Sequence, residues 1–334
     1  MQASFKKFKA WKKEFLAHRP HRSFQLSRRR DYVRTLTLPG YISFTHQVNK
    51  IVWTNKKLLL GLAVIYLVLF SILVGVGTQE NYDTLANSLQ ETSESVTDGD
   101  FSQIGQAGLL FFTIATVGVT EAPTESQQIY ITLLGLMVWL TTVWLLRNRL
   151  AGHKVKLRDA LYNAGAPIVS LFLVGLVVLL QLIPVLLVVI GYEAATSTGL
   201  LDSGVEAMLF WIAATLLCIL SVYWITSSIF ALVVATLPGM YPVKALRSAG
   251  DLVLGRRVRI LLRWAWMFLV VAVVWAIILI PLILLDQWLK SVWPAAGGVP
   301  VVPVALALLS TVSIIWLSSY VYLLYRKVVD GSTK

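Results

Sequence analysis

The chain has 334 residues, of which 57% are hydrophobic and 14% charged, and it carries a formal net charge of +12 at pH 7. A soluble domain of this length needs more polar side chains to cover its surface, so the composition excludes a soluble globular protein. The single cysteine, Cys218, excludes an intramolecular disulfide and a cysteine-based metal cluster.

The amino-terminal segment, residues 1–37, is predicted to be a basic cytoplasmic tail that begins with an amphipathic helix. Between Ser4 and His18, one helical face carries Phe5, Phe8, Trp11, Phe15 and Leu16. The rest of that helix carries the lysines Lys6, Lys7, Lys9, Lys12 and Lys13. Such a helix can lie in the headgroup layer, with its rings buried and its lysines against anionic lipid. We therefore expect these lysines to contact anionic lipid.

Two other interpretations of this tail stay open. It can be a solvated basic segment, or it can bind nucleic acid or ribosomes through Arg28, Arg29, Arg30 and Arg34. No base-reading motif accompanies these arginines, so we do not expect nucleic acid as a partner.

Residues 38–149 form the first predicted unit. Leu38-Pro39-Gly40 opens it, and a half-basic amphipathic stretch leads to Lys56 and Lys57. The first apolar run begins at Leu58 and has about 20 residues, the length that crosses a hydrocarbon core. An acidic insert without lysine or arginine follows at residues 78–127, and the second apolar run starts near Gln128. The insert is predicted to lie outside the cell, where it can meet a protein partner.

The segment 105–121 inside this insert is about 15 residues long, which is too short to cross a bilayer. If it crossed, the acidic connector after it would be cytoplasmic and the next basic segment would be outside, so we expect a re-entrant or interfacial segment. Thr116-Val117-Gly118 resembles the start of a potassium-channel filter. Val119 and Thr120 stand where that family has an aromatic residue and a second glycine, so a buried half-helix is the preferred interpretation.

Residues 150–236 and 237–334 form the second and third predicted units. Each has a short basic amphipathic segment and then two apolar runs, which start near Ala166 and Val205 and near Val258 and Val301. In lipid, only helices satisfy their own backbone over such runs. The sequence therefore predicts an all-α integral membrane protein with six transmembrane helices. They are expected to form three tandem hairpins, with cytoplasmic amphipathic helices and one short re-entrant or interfacial segment.

The distribution of charge predicts the orientation. If the amino terminus is inside and six spans alternate, every lysine and arginine except Lys290 falls on the cytoplasmic side. The positive-inside rule then places both termini in the cytoplasm.

The second span of each unit contains a tryptophan followed by a pair of small hydroxylated residues. Such residues let neighbouring helices approach closely and form hydrogen bonds across the interface. We interpret the pairs as helix-packing residues; they are Thr141 and Thr142, Thr226 and Ser227, and Ser318 and Ser319. Periods of about 90 to 110 residues favour three hairpins around an axis normal to the membrane.

Few residues are candidates for lining a polar cavity. Gln181 is the one long polar side chain well inside a predicted span. Pro184 and Pro281 each remove a backbone donor and can kink a helix around a cavity or for packing alone. Thr116 and Gly118 complete the candidate cavity set.

No sequence pattern is typical of an enzyme. There is no nucleophile with a base, no paired carboxylates in a cleft and no phosphate-binding loop. The four histidines lack ligand spacing, so we expect neither a metal nor another cofactor. No charged residue or histidine lies deep in a predicted span, as proton coupling or charged-substrate transport would require.

Residues 237–285 carry a resemblance to a known family. The run from Pro242 to Val253, PVKALRSAGDLV, leads into a basic patch and a proline-bearing apolar helix. This arrangement resembles the membrane-domain family that accompanies bacterial glycerophosphoryl diester phosphodiesterases, and related uncharacterised polytopic membrane proteins. Val155 to Ile190 fits the pattern as a poorer second copy. The resemblance implies a bacterial plasma membrane location, but the phosphodiesterase catalytic domain has no counterpart here.

The leading hypothesis is a non-catalytic membrane protein that organises anionic lipid or a membrane partner complex. Besides the tail lysines, the expected lipid contacts are Arg256, Arg257 and Arg259. The alternative is a channel or facilitator with a cavity between the hairpins and residues 105–121 as its gate. An enzyme acting on lipid is a third hypothesis.

Overall fold

A computed structural model describes residues 38–74, 124–202, 204–253, 256–293 and 301–330. All of them belong to one compact unit, Leu38–Lys334. Within these ranges 88% of the residues are helical and none lies in a strand, which confirms the all-α prediction.

The described residues form ten α-helices. In chain order they are α1 (Tyr41–Thr54), α2 (Lys56–Leu73), α3 (Glu125–Leu150), α4 (Leu157–Ala164), α5 (Ile168–Gln181), α6 (Ile183–Ser197), α7 (Gly204–Val234), α8 (Pro242–Val253), α9 (Arg257–Val292) and α10 (Val301–Asp330). A 3₁₀ turn, Leu200–Asp202, lies between α6 and α7. Six helical segments are long and apolar enough to cross a membrane, with α5 and α6 counted together, as the six apolar runs predict.

The short helices α1, α4 and α8 are amphipathic, and each precedes one of the long segments. Each buries residues spaced four apart, which lie on one face of a helix. The buried residues are Phe44 and Val48 on α1, Ala160 and Ala164 on α4, and Ala245, Ala249 and Val253 on α8. Small residues on α4 and α8 allow these helices to lie close to their neighbours.

The contacts between helices follow a regular pattern. Helix α2 packs against α3 and α10, α5 against α7 and α3, and α9 against α10 and α7. Each of these helices therefore lies between two members of the set α3, α7 and α10. The short helices follow the same order, because α1 contacts α10, α4 contacts α3, and α8 contacts α7.

The core is concentrated at the end of the bundle where α2, α5 and α9 begin, which we call the basic end. Leu59, Leu62 and Tyr66 of α2 pack there with Val138 of α3 and Ile315 of α10. On α7, burial is likewise concentrated in the last third of the helix. At this end the helices meet each other more than they meet their surroundings.

The opposite end of the bundle, which we call the apolar end, is open. In the apolar stretches of α3 and α10, 39% of the residues are buried, but in α9 only 6% are. Apolar side chains such as Leu209, Ile212 and Ile277 stand exposed. A protein in water does not leave such surfaces uncovered, whereas lipid covers them without cost.

Two glycines in the segments after α3 and α7 have positive φ angles. Gly152 lies two residues after the end of α3, with φ +88°, and Gly239 lies five residues after the end of α7, with φ +75°. Side chains other than glycine rarely adopt this conformation. Gly152 therefore ends α3 and redirects the chain, whereas Gly239 belongs to a separate turn, in which the Met240 N–H donates to the carbonyl of Leu237.

The carboxyl-terminal part of α9 differs from the expectation. The Gly and Pro residues between Asp286 and Pro300 predict a loop that begins at Asp286, but α9 continues through Pro281 to Val292. Asp286 is buried in the helix and forms an ion pair with Lys290 at 2.5 Å, one turn further on. The spacing of four residues explains why the two side chains meet and why the helix tolerates them.

Candidate functional site

Basic side chains gather at the basic end of the bundle. Every described lysine and arginine except Lys290 lies in α1, in α4, in α8, in the connecting turns beside them, or at the adjoining ends of α2, α3, α9 and α10. Between described side chains, the Asp286–Lys290 pair is the only ion pair, and it lies at the apolar end. The positive charge of the basic end is therefore not neutralised by described acidic residues.

Arg263 is one of two deeply buried arginines of this surface, and it holds α1 against α9. Only 5% of the residue is exposed. Its guanidinium donates a hydrogen bond to the carbonyl of Pro39 and lies 4.8 Å from the ring centre of Tyr41 and 5.4 Å from that of Phe44. Such cation–π contacts gain strength where water is excluded.

One nitrogen of Arg263, Nη1, is buried without a hydrogen-bond partner. No described acidic side chain forms an ion pair with this guanidinium. A buried cation of this kind is costly unless other groups compensate it, and here only rings and a carbonyl do so. The Arg263 guanidinium is therefore a buried positive charge that no described acidic side chain pairs with.

Aromatic residues complete the attachment of α1. Trp266 on α9 donates from Nε1 to Thr45 Oγ1 at 3.0 Å, and Trp316 on α10 donates from Nε1 to Asn49 Oδ1 at 2.8 Å. The Phe44 ring meets the Tyr320 ring edge to face, with centres 4.9 Å apart. Tryptophan and tyrosine with one apolar and one hydrogen-bonding side are typical of a membrane–water boundary.

The three arginines expected to contact lipid lie in different environments. Arg256 is 95% buried by its own fold, since only 5% is exposed, so it is not a freely accessible headgroup contact. Arg257 is half-buried; its guanidinium lies 3.7 Å from the Tyr223 ring centre and donates to the Tyr223 carbonyl. Arg259 is exposed. The five tail lysines lie outside the described residues.

Two further arginines of the basic end bind helix termini. Arg147 donates from Nη1 to the carbonyl of Thr236, just after α7, at 3.0 Å. Arg149 donates from Nε to Asn55 Oδ1, in the junction between α1 and α2, at 3.2 Å. Cations at the carboxyl end of a helix satisfy its free carbonyls and interact favourably with the helix dipole.

The paired hydroxylated residues lie mostly in the interior. Thr141, Thr142, Thr226, Ser318 and Ser319 are buried, and Ser227 is half-buried. Thr141 Oγ1 and Tyr66 Oη form a hydrogen bond of 3.1 Å across the α2–α3 interface.

The other hydroxyls of this set do not cross an interface. Thr226, Ser318 and Ser319 donate to the carbonyls of Val222, Ile314 and Ile315, four residues earlier in their own helices. Ser227 donates to the carbonyl of Trp224, and Thr142 has no partner. Small volume is therefore what these positions share, while only Thr141 links two helices.

The candidate cavity residues are not brought together as a group. Gln181 ends α5, and Pro184 is buried in the first turn of α6, at a break within the third span. Pro281 is exposed inside an uninterrupted α9, far along the chain from that break. Thr116 and Gly118 lie outside the described residues.

The role of Arg263 and the environment of Ser221 were not found from the sequence. The available signal for Arg263 was the group of aromatic residues that follows it, Trp264, Trp266 and Phe268, in the first turns of an apolar helix. Ser221 is a lone serine in an apolar run, a pattern that gives no warning of a buried hydroxyl without a partner.

The chain was compared with protein-family models, with curated proteins and with solved structures, and none of them matches. The resemblance of residues 237–285 to the phosphodiesterase-associated membrane domains therefore stays a prediction.

Proposed function

We propose that the chain is a non-catalytic bacterial plasma-membrane protein that binds anionic lipid at its basic end. In this proposal its six spans form three tandem hairpins and both termini lie in the cytoplasm. The basic end is the cytoplasmic end, and the apolar end lies in the bilayer and at its outer face.

The threefold order of the helix contacts supports the hairpin arrangement. Within each hairpin the first span contacts the second, as α2 contacts α3, α5 contacts α7, and α9 contacts α10. Each first span also contacts the second span of one other hairpin. Helix α2 contacts α10, α5 contacts α3, and α9 contacts α7. Three similar units that close into a ring give this pattern, which agrees with the sequence period.

The position of the cytoplasmic boundary is suggested by α7. Its 31 residues span about 46 Å at 1.5 Å per residue, which exceeds a hydrocarbon core of about 30 Å. Most side chains in the first part of α7 are exposed, and most side chains from Thr226 onward are buried. Arg257 binds the helix at Tyr223, about 30 Å from Gly204. A guanidinium and a tyrosine at this depth suit the headgroup layer.

The single observation that carries the lipid proposal is a dense positive surface, rich in aromatic rings, that described acidic residues leave unpaired. Each lysine or arginine near an anionic membrane contributes about 1 kcal/mol of attraction. Arg257 and Arg259 stand on this surface with tyrosine and tryptophan beside it. We therefore expect phosphatidylglycerol or a similar anionic lipid to bind in preference to a zwitterionic lipid.

Competition between two lipids tests this function. The full chain, purified in a neutral detergent, is mixed with equal amounts of phosphatidylglycerol and phosphatidylcholine of the same acyl chains, and the bound lipid is counted by native mass spectrometry. We expect phosphatidylglycerol to dominate. Replacing both Arg257→Gln and Arg259→Gln should reduce its excess about thirtyfold, as expected for two contributions of about 1 kcal/mol.

The matched control keeps the charge. In the variant with Arg257→Lys and Arg259→Lys, the preference for phosphatidylglycerol should remain. Equal binding of the two lipids by the unaltered chain, or an undiminished preference in the glutamine variant, would show that this surface does not recognise anionic lipid.

A further inference from the structure

The third span is interrupted where α5 ends at Gln181 and α6 begins at Ile183. Pro184 follows Ile183 and provides no N–H, yet backbone N–H groups at the end of α5 donate to the carbonyls of Leu179 and Leu180. In a membrane, a polar atom without such a partner is costly, because the surroundings supply none. The polar atom left without a partner at the break is Gln181 Oε1.

Ser221 of α7 lies opposite this break. Helices α5 and α6 contact α7, which runs in the opposite direction. Near one end Leu232 packs against the cluster that contains Leu171, and near the other end the rings of Tyr192 and Phe210 have centres 6.4 Å apart.

The register between these two contacts gives the level of Gln181. Gln181 lies ten residues after Leu171, and Val222 lies ten residues before Leu232. Gln181 also lies eleven residues before Tyr192, and Ser221 lies eleven residues after Phe210. The two counts place Gln181 at the level of Val222 and of Ser221, which is within one residue of Ser221 in both cases.

Both residues present a buried polar atom without a partner. Gln181 Oε1 and Ser221 Oγ make no hydrogen bond, and Ser221 is 0% exposed. The serine shares this with Thr142, whereas Thr226, Ser318 and Ser319 donate to the carbonyl four residues earlier. The Ser221 hydroxyl has forgone this bond within its own helix.

Leaving such groups unpaired in an apolar interior costs about 1–3 kcal/mol for each group. Buried water normally makes two to four hydrogen bonds to groups of this kind, and it persists only where several polar partners converge. The Gln181 amide oxygen and the Ser221 hydroxyl form such a pair. Neither group carries a charge, so the pair suits a neutral molecule.

We propose that Gln181 and Ser221 form a site for one small neutral hydrogen-bonding molecule, of which water is the smallest. The site lies within the membrane and is reached from the aqueous phase. It is independent of the lipid-binding surface, which is built from the opposite chemistry of cations and rings.

Thiol labelling tests whether the site is wet. Cys218, the single cysteine of the chain, is first replaced by Cys218→Ala, and Ser221→Cys is added. The protein is reconstituted into vesicles and treated with a small water-soluble methanethiosulfonate reagent. A thiol reacts as its thiolate, which forms only where water is present. The matched control is Leu220→Cys, the neighbouring residue on the exposed face of α7.

We expect Ser221→Cys to react at least about tenfold faster than Leu220→Cys, because its thiol is solvated more readily than one in lipid. Adding Gln181→Leu should remove most of that difference. If glycerol or urea slows the labelling, the occupant is a small solute; if neither does, it is water. A rate no higher than that of Leu220→Cys would overturn the proposal. That result is expected if Gln181 and Ser221 form a direct hydrogen bond with no molecule between them.

The folding of each variant is checked by its elution as a single species in gel filtration. If Ser221→Cys does not fold, Gln181→Cys replaces it against the same control, with the same expected and contrary results.

Discussion

The two ends of the helix bundle are built differently although the same helices run through both. At the basic end, side chains such as Leu62, Leu145 and Phe230 are fully buried, and polar groups tie the helices together. At the apolar end, most apolar side chains of α6, α7 and α9 are exposed. The helices thus pack closely against one another at the basic end, whereas most apolar side chains of α6, α7 and α9 at the apolar end face the surroundings.

The difference follows from what drives helices together in each medium. In water, burying apolar surface stabilises a fold by about 25 cal/mol per Å². Between helices in lipid this force is absent, and only close packing and hydrogen bonds remain. Packing of that kind persists toward the apolar end between α9 and α10, where Trp275, Val302 and Leu306 are buried together and Trp275 donates from Nε1 to Ser313 Oγ at 2.8 Å.

The most direct test of this difference is whether the two ends of the bundle face opposite sides of a membrane. In the Cys218→Ala chain, Lys154→Cys marks the basic end and Glu193→Cys marks the apolar end. We expect an impermeant maleimide added to intact cells to label only Glu193→Cys, because the positive-inside rule places Lys154 in the cytoplasm. Labelling is read from the mass of the purified protein.

The control for this labelling is the same reagent after the cells are opened, when both thiols should react. Labelling of Lys154→Cys in intact cells would invert the proposed orientation. Labelling of both positions in intact cells would mean that the two ends do not face different compartments.

A core deletion at each end measures the difference in packing. Leu62→Ala removes a side chain that is 0% exposed at the basic end, and we expect it to lower the free energy of unfolding by about 2–5 kcal/mol. Leu209→Ala removes one that is 59% exposed at the apolar end, and a change of about 0.5 kcal/mol or less is expected. Denaturant titration in detergent micelles gives both values. Equal losses would show that a partner or the bilayer packs Leu209 as tightly as the core packs Leu62.

The sequence predicts the six long helices and the amphipathic helices before α2, α5 and α9, because these depend on local composition and periodicity. Local signals of this kind do not depend on what the helix later touches.

The arrangement around Arg263 was beyond such signals. Its guanidinium binds the carbonyl of Pro39, which is 224 residues away in the chain, and no local pattern encodes that distance. The same limit applies to Ser221 and Gln181, which become neighbours only through the antiparallel packing of α5 and α7. For Asp286, the charge itself was misleading, because its partner Lys290 lies one turn away and keeps the helix intact.

A milder substitution tests whether Arg263 is what fastens α1 to the basic end. Arg263→Lys keeps the charge but loses the planar guanidinium that reaches Pro39 and stacks on Tyr41. We expect the free energy of unfolding to fall by about 2 kcal/mol, from a charged hydrogen bond and a cation–π contact. Arg259→Lys, on the exposed face four residues earlier, should change it by about 0.5 kcal/mol or less. Equal effects would mean that Arg263 contributes only its charge.

The smallest expected effect concerns the single hydrogen bond between hydroxyls that joins α2 to α3. Tyr66→Phe removes the hydroxyl that meets Thr141 Oγ1, while Thr141 keeps its own donation to the carbonyl of Met137. No donor is left unpaired, so the loss should be that of one interhelical bond, about 0.6 kcal/mol. Tyr162→Phe on the exposed face of α4 should have no effect.

A double-mutant cycle with Thr141→Val separates this bond from the packing around it. The coupling between the two positions should also be about 0.6 kcal/mol in denaturant titrations. A coupling near zero would mean that Thr141 serves the basic end through its small volume alone. It would then act as Thr226, Ser318 and Ser319 do, whose hydroxyls bond within their own helices.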